Sequence, residues 1–170
     1  MTHIRSLALG TALLMLGLAA PAPAQNAPAP GELRIDVPVQ LRPSRVVFNM
    51  DHLAFAADQS IGLNYMQLML RNYRASNTSI EIIAVFHGAA GYMLLNDGAY
   101  NRNRRTDRGN PYKEIVDGLQ RDGVQFEECG QTARTNGWGN ADLLTGVKVN
   151  SGANLRLVQL QQDGWVQIQP

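Results

Sequence analysis

Short apolar segments alternate along the chain with segments whose apolar residues recur at helical spacing. Residues 45–50 and 80–86 are largely apolar and rich in β-branched side chains, which is typical of strands buried on both faces. Shorter segments of the same kind, residues 124–128, 147–149 and 165–168, predict three further strands. The pattern therefore predicts about five strands, each separated from the next by other structure.

Helices are predicted where apolar residues recur every three or four positions. Asn110 and Pro111 are typical of a helix start, and Gly123 is typical of a helix end. The predicted elements between the strands are helices at 61–73, 92–95, 111–122, 130–136 and 151–163, the last with Ser151 as its cap, and a long polar loop at 96–109.

Strands that alternate with helices and are too apolar to face water predict a parallel sheet covered on both faces. The fold class is therefore a small doubly wound α/β domain. Ligands of such sheets bind beyond the carboxyl ends of the strands, where loops lead into helices. The polar residues predicted at those ends are Asn49, Asp51 and His52, then His87 and Gly88, then Cys129 and Gly130.

The first 44 residues differ in composition from the rest of the chain. Residues 1–24 predict an export signal, since a positive start precedes an apolar segment and small residues precede a cut at Gln25. Residues 25–44 form a Pro-rich leader in which 33–41 alternate as in an edge strand or an arm. We expect an exported protein, periplasmic in a Gram-negative bacterium and free of the membrane after cleavage, with one domain at 45–170.

Composition and the motifs of the chain argue against nucleic-acid binding and against a nucleotide cofactor. The chain is 45% apolar and 17% charged, as in a packed globular domain. Signal cleavage removes only Arg5 among the charged residues and leaves 14 basic and 14 acidic residues. This balance does not favour binding to nucleic acid, which is typical of basic domains. The sequence contains no phosphate-binding glycine motif and no nucleophile elbow, so no nucleotide cofactor is predicted.

Cys129 is the only cysteine of the chain and lies at a predicted strand-to-helix junction. A single cysteine in an oxidising compartment is either buried and inert, paired with a second chain, or a reactive thiol. A pKa of about 8.5 leaves roughly 3% of a thiol ionised at pH 7, and a helix N-terminus increases that fraction. Glu127 and Glu128 oppose ionisation, but strand alternation turns one of them away from the thiol.

His87 follows a buried strand and is either a proton donor, a metal ligand or a hydrogen-bonded structural residue. A metal site built from His52, His87, Asp51 and Cys129 matches no recognised ligand spacing, so no metal is predicted.

Four arginines lie within residues 102–108. This cluster, which includes Arg104 and Arg105, either attracts an acidic ligand such as a sulfur oxyanion or belongs to a solvated loop. The other candidate ligand-binding residues are Asn49, Asp51, Gly88, Gly130 and Thr132.

Several segments together resemble the DsrE/DsrF-like family. They are residues 123–129 followed by Thr132, residues 142–147 and residues 157–165, while residues 46–48 and 85–88 look like the first two strands of that family. Each motif is loose, but their order and spacing are specific. The similarity covers residues 45–170.

The resemblance implies a doubly wound α/β fold that assembles into trimers or hexamers. In the sulfur-relay members of the family, the cysteine at the position that matches Cys129 carries a persulfide that passes between proteins. Cys129 would then be the sulfur acceptor, without a cofactor, and its partners would be sulfur donor and acceptor proteins or small polysulfides. His87 matches the strand-end His-Gly pair of the family. This chain departs from those members in its export signal and its Asn/Arg-rich loop at 101–110.

Two hypotheses follow for the function. The first is an exported DsrE-like protein that binds or relays sulfane sulfur on Cys129, with sulfurtransferase-like chemistry. The alternative is a non-catalytic oligomeric binding module in which Cys129 is buried for structural reasons. A third interpretation assigns ligand binding to the arginine cluster.

Overall fold

Five strands form a single parallel sheet within residues 31–170, the part of the chain that a computed structural model describes. The chain divides into two units after Pro38, and the strands and helices described below lie in the second, Val39–Pro170. The strands of the sheet are β1 Ser44–Met50, β4 Ile80–Phe86, β5 Gln125–Cys129, β6 Lys148–Asn150 and β7 Val166–Ile168, and a separate antiparallel ribbon contains β2 Phe55–Ala56 and β3 Gln59–Ser60. The order of strands in the sheet is β6-β5-β4-β1-β7.

Helices cover both faces of the sheet. They are α1 Ile61–Ala75, α2 Asp97–Arg104, α3 Lys113–Arg121, α4 Gly130–Asn136 and α5 Ala153–Gln162, with 3₁₀ helices at Gly88–Leu94 and Asn140–Asp142. Since every neighbouring strand pair of the sheet is parallel, the carboxyl ends of the strands share one edge. The predicted α/β fold with a covered parallel sheet is confirmed.

Alternation along the strands produces two apolar layers. Phe48, Phe86 and Phe126 belong to the larger cluster, together with buried residues of α1 and α3. Val47, Ile83 and Val85 point to the opposite face and cluster with three residues of α5, namely Ala153, Leu157 and Leu160. Cys129 belongs to this second, smaller cluster, so α5 is the helix that covers the thiol.

The prediction of a long polar loop at 96–109 is wrong, because α2 occupies Asp97–Arg104. The Asn96 side chain accepts a hydrogen bond from the Ala99 amide at 2.9 Å and caps the helix. Asp97 in the first turn and two arginines in the last turn both suit the helix dipole. Capping and charge, rather than an apolar stripe, define this helix.

The prediction of a strand at residues 33–41 is not met by any strand pairing within residues 31–170, where the first strand begins at Ser44. The apolar residues of this segment are largely exposed, from Ile35 at 68% to Leu33 at 84%. A strand without a hydrogen-bonded neighbour is not stable, which accounts for the result. The alternative of an arm stays a prediction, and the predicted signal at 1–24 lies outside the described residues.

The prediction that Ser151 caps the last helix is also wrong. Helix α5 begins at Ala153, and Gly152 occupies the cap position without a side-chain hydrogen bond. The uncapped first turn leaves its backbone N–H groups available to other acceptors.

Candidate functional site at Cys129

Cys129 ends strand β5 and immediately precedes helix α4. Its backbone is in register with Asn150 of β6, and only 5% of the residue is exposed. The thiol therefore lies at the carboxyl edge of the sheet, in the layer between the sheet and α5.

Backbone N–H groups from two helix starts stabilise the negative charge of Cys129 Sγ. The Ala153 amide, the first of α5, donates to Sγ at 3.3 Å. Burial raises the pKa of the thiol, but hydrogen bonds from Thr132, Ala153 and Gln131 outweigh burial, and the pKa of Cys129 lies below its ordinary value. A lowered pKa increases the thiolate fraction at neutral pH, and the thiolate is the nucleophilic form.

Two glycines beside this junction have backbone roles. A Cβ on Gly130 would lie 2.6 Å from the Asn150 carbonyl oxygen, so only glycine lets α4 start this close to β6. Gly88 has a φ of +56°, in the left-handed region that glycine tolerates. Both stay predictions as ligand-binding residues, and the structure shows in addition what each does for the path of the chain.

The two glutamates before Cys129 face opposite sides of the sheet, as alternation predicts. Glu127 shares the face of Cys129 and accepts hydrogen bonds from Arg156 of α5, the shortest at 2.8 Å. Glu128 is fully buried on the other face, and neither of its carboxyl oxygens has a hydrogen-bond partner among residues 31–170. Burial, together with the charge of Cys129, raises the pKa of Glu128 to about 9.

These two environments decide how strongly the glutamates oppose the thiolate. The charge of Glu127 is compensated by Arg156, and the carboxyl of Glu128 is protonated at neutral pH. Neither side chain therefore places an uncompensated negative charge beside Cys129 at pH 7.

A second group of polar residues lies at the same edge of the sheet, and we call it the strand-end network: Asn49, Asp51, His52, His87 and Gln169. His87 Nε2 and Asn49 Oδ1 are 2.7 Å apart. The Asn49 amide donates to Gln169 Oε1 at 2.5 Å, and the Gln169 amide donates to Asp51 Oδ1 at 2.7 Å. His52 Nδ1 also contacts Asp51 Oδ1.

Two charge effects act within the strand-end network. Burial lowers the pKa of His87, and the negative charge of Asp51 partly offsets this. The hydrogen bond from His52 lowers the pKa of Asp51 against an opposing effect of burial, and Gln169 lowers it further. His87 is therefore mainly neutral at pH 7, while Asp51 is a carboxylate.

His87 and Cys129 each follow the last paired residues of β4 and β5. Phe86, the last residue of β4, is paired with Glu128, and His87 follows it with an extended backbone, so His87 and Cys129 each lie one position beyond the last pair of the two strands. Neighbouring strands are about 4.8 Å apart, and residues in register point to the same face. The Gly88 amide, one residue further on, donates to Thr132 Oγ1 of α4 at 3.0 Å and ties the two strand ends together.

The DsrE/DsrF-like family model matches residues 42–170. The chain belongs to the DsrE/DsrF-like family. This family is associated in general with sulfur relay, and the resemblance expected from the sequence is confirmed.

Solved structures agree with the membership. MTH1491 from Methanobacterium thermoautotrophicum, a protein of unknown function, is 29% identical, with a TM-score of 0.55 over 75% of this chain and 99% of that one. The YchN protein from E. coli shares the fold at 16% identity, with a TM-score of 0.50 over 75% of this chain and 99% of that one. No protein of curated function matches the chain significantly.

The arginine cluster of this DsrE-like chain lies on α2 and at its end, and its binding of an acidic ligand stays a prediction. The Arg104 guanidinium lies over the Tyr92 ring at 4.5 Å, Arg102 pairs with Asp142 at 2.6 Å, and Arg105 ends α2 with a φ of +52°. None of the hydrogen bonds or ion pairs that link residues 31–170 joins Arg104 or Arg105 to Cys129 or His87. The structure thus does not bring the arginine cluster into the strand-end group.

The sequence did not predict three features of the structure: the roles of Gln169 and Arg156, and a groove away from Cys129. Gln169 and Arg156 reach the site through β7 and α5, and their sequence surroundings give no motif that would select them. A groove of about 760 Å³ between the β2–β3 ribbon, α1 and α3 was not predicted either, and its lining includes Phe55, Tyr92 and Tyr112 but not Cys129.

Within residues 31–170, no group of three or more His, Cys, Asp or Glu side chains is arranged to hold a metal ion. No helix in the same range is both long enough and apolar enough to span a membrane.

Proposed function

We propose that the protein accepts a sulfane sulfur atom on Cys129 and passes it on as a persulfide. The observation that carries this proposal is the hydrogen bond from the Ala153 amide to Cys129 Sγ at 3.3 Å. Backbone donors that surround a thiol and lower its pKa stabilise the thiolate, which is the form that attacks sulfur. Family membership supports the same chemistry, since the family is associated with sulfur relay.

The transfer balances without a redox cofactor. The Cys129 thiolate attacks the outer sulfur of a donor persulfide, the S–S bond of the donor breaks, and its electron pair leaves with the donor sulfur as a thiolate. An acceptor thiolate then attacks the outer sulfur of the Cys129 persulfide and regenerates the Cys129 thiolate. The donor loses one sulfur atom and the acceptor gains it, so no net oxidant is needed.

The setting of the reaction belongs to the proposal as well. The pattern of residues 1–24 supports export, and periplasmic proteins or small polysulfides are the donors and acceptors that such a location provides. A homo-oligomer would bring partner surfaces to the sheet edge, and we include a trimer or hexamer in the proposal.

Polysulfide treatment is expected to add the mass of one sulfur atom, about 32 Da, to the peptide that contains Cys129. The matched control is Cys129→Ser, which keeps the size of the side chain but lacks a sulfur nucleophile and should gain no mass. Intact-protein and peptide mass spectrometry after brief treatment, followed by incubation with an acceptor thiol, measures gain and loss. A wild-type protein that gains no mass at Cys129 contradicts the proposal.

A non-catalytic binding module is the second candidate, because Cys129 is 5% exposed and clusters with Val47 and Val85. A thiol that serves only packing should react with iodoacetamide after denaturation but not in the folded protein. The proposed sulfur carrier predicts that Cys129 is alkylated faster in the folded than in the denatured protein at pH 6, because the lowered pKa gives the folded thiol the larger thiolate fraction. Comparing the two alkylation rates by mass spectrometry separates the candidates.

A further inference from the structure

The strand-end network contains a continuous chain of hydrogen bonds from a carboxylate to an imidazole. It starts at Asp51 Oδ1, passes through the side-chain amides of Gln169 and Asn49, and ends at His87 Nε2, with distances of 2.7, 2.5 and 2.7 Å. Asn49 is 9% exposed, so this link is shielded from water. We call these four side chains the amide relay.

The carboxylate sets the direction of every bond in the amide relay. An ionised carboxylate only accepts hydrogen bonds, so the group of Gln169 that faces Asp51 must be its NH₂. Gln169 Oε1 then faces Asn49 and must receive the Asn49 NH₂. Turning either amide over would bring two oxygens to within 2.5 to 2.7 Å of each other without a proton between them.

The direction fixes the tautomer of His87. Asn49 presents Oδ1 to the imidazole, and a carbonyl oxygen only accepts, so His87 Nε2 must carry the proton. Neutral imidazole has one proton, and Nδ1 therefore keeps a free lone pair. Among residues 31–170, no hydrogen bond occupies His87 Nδ1.

We propose that His87 is the base for the Cys129 thiol and that Asp51, acting through Gln169 and Asn49, is a positioning residue that holds the His87 proton on Nε2. The pairing of Phe86 with Glu128, one position before His87 and Cys129, and the extended backbone of His87 support this pairing. The inference rests on the proposed function, because it assigns the proton of the same thiol.

The proton balance is simple. The thiol proton of Cys129 moves to His87 Nδ1, which leaves a thiolate and an imidazolium, and Nε2–H continues to donate to Asn49 Oδ1. The same proton then passes to the donor sulfur that leaves as a thiolate. No proton is gained or lost over the transfer.

The amide relay also favours the imidazolium that forms. Its N–H dipoles point from His87 towards Asp51, so each positive end faces away from the cation and the carboxylate closes the series. A histidine that is oriented by an amide and activates a cysteine occurs in unrelated cysteine enzymes, which shows that this combination of groups is chemically competent.

The tautomer is measured directly by ¹⁵N NMR on full-length protein with labelled histidine. The expected wild-type result is a protonated Nε2 and an unprotonated Nδ1 at His87. Gln169→Met removes the central link of the amide relay at nearly constant side-chain size. In this variant the His87 proton should be distributed between Nε2 and Nδ1. The matched control is Gln167→Met, two residues earlier on β7, whose side chain contacts Gln161 rather than the amide relay.

Iodoacetamide alkylation of Cys129 at neutral pH tests the base. We expect His87→Gln to slow alkylation about 100-fold and Gln169→Met about 10-fold, in the range of general-base and positioning effects, while Gln167→Met keeps the wild-type rate. A protonated Nδ1 in the wild type, or an alkylation rate that survives His87→Gln, overturns the inference.

The alkylation assay needs no sulfur donor, so it separates this inference from the proposed function. If polysulfide adds no mass to Cys129 but the alkylation rate still depends on His87 and Gln169, the proposed function is wrong and the proposal that His87 is the base is supported. If polysulfide adds the mass of one sulfur atom to Cys129, while the alkylation rate is unchanged in His87→Gln and Gln169→Met and the His87 tautomer is unchanged in Gln169→Met, the proposed function stands and the proposed base is wrong.

Discussion

The Glu128→Met variant is expected to be more stable than the wild type by about 2 to 4 kcal/mol at pH 8, because folding buries an unpartnered carboxyl and must protonate a group that is ionised in the unfolded chain. Glu128 is fully buried, and its two carboxyl oxygens have no partner among the described residues. Methionine is nearly as long and has no polar group that needs a partner, so it suits the site beside Gly91 and Thr132.

The same variant should remove a pH dependence. Burial raises the pKa of Glu128 from 4.5 to about 9, so at neutral pH the folded state holds a proton that the unfolded state has released. The stabilising effect of that proton is fully present below pH 4.5 and is lost as the pH rises towards 9. The wild type should therefore become less stable between these pH values, and the variant should lose this part of the slope.

Urea denaturation at pH 5 and pH 8 measures both effects. Glu81→Met is the matched control, because Glu81 is an exposed carboxylate on β4 and its replacement should leave the slope in place. A Glu128→Met protein that is less stable than the wild type at both pH values would show that the carboxyl has a stabilising role in the native structure.

The Arg156→Met variant is expected to have the opposite effect and to lower the free energy of unfolding by about 3 kcal/mol. Arg156 donates to both carboxylate oxygens of Glu127, whose side chain is only 4% exposed. Removing the guanidinium leaves a buried carboxylate with only amide partners, Gln125 and Asn150. The expected cost is at the low end for buried pairs, since the Arg156 side chain is 22% exposed.

A double variant tests that explanation. Replacing Glu127 and Arg156 together by methionine removes both charges, so the stability should return to within about 1 kcal/mol of the wild type. Arg71→Met, on an exposed position of α1, controls for the general effect of losing an arginine. If the double variant is as unstable as Arg156→Met, packing of the arginine stem rather than charge is responsible for the loss.

The fold could be predicted from sequence because its signals are local. The apolar segments at 80–86 and 45–50 became β4 and β1, and the glycine after residue 122 marked the end of α3. Helix α2 escaped prediction because only Ala99 and Tyr100 are buried in it, and two buried residues do not make a periodic stripe.

The site could be predicted only in part. The position of Cys129 at a strand-to-helix junction followed from the pattern, as did the opposite directions of Glu127 and Glu128. Its hydrogen-bond donor Ala153 did not, because the contact depends on how α5 returns over the sheet, 24 residues further along. Gln169 likewise enters the site only through the pairing of β7 with β1, which no local pattern reveals.

The hydrogen bond between Asn49 and Gln169 closes a loop of 120 residues. Bringing the ends of such a loop together costs about 4 kcal/mol of chain entropy, so we expect this link to form only once the intervening strands have paired. A chain in which this link has not formed therefore lacks the contact that orients the Asn49 amide towards His87. The docking of the last strand completes the amide relay, so the proposed base depends on the completion of folding, while the backbone donors to Cys129 itself come from α4 and α5.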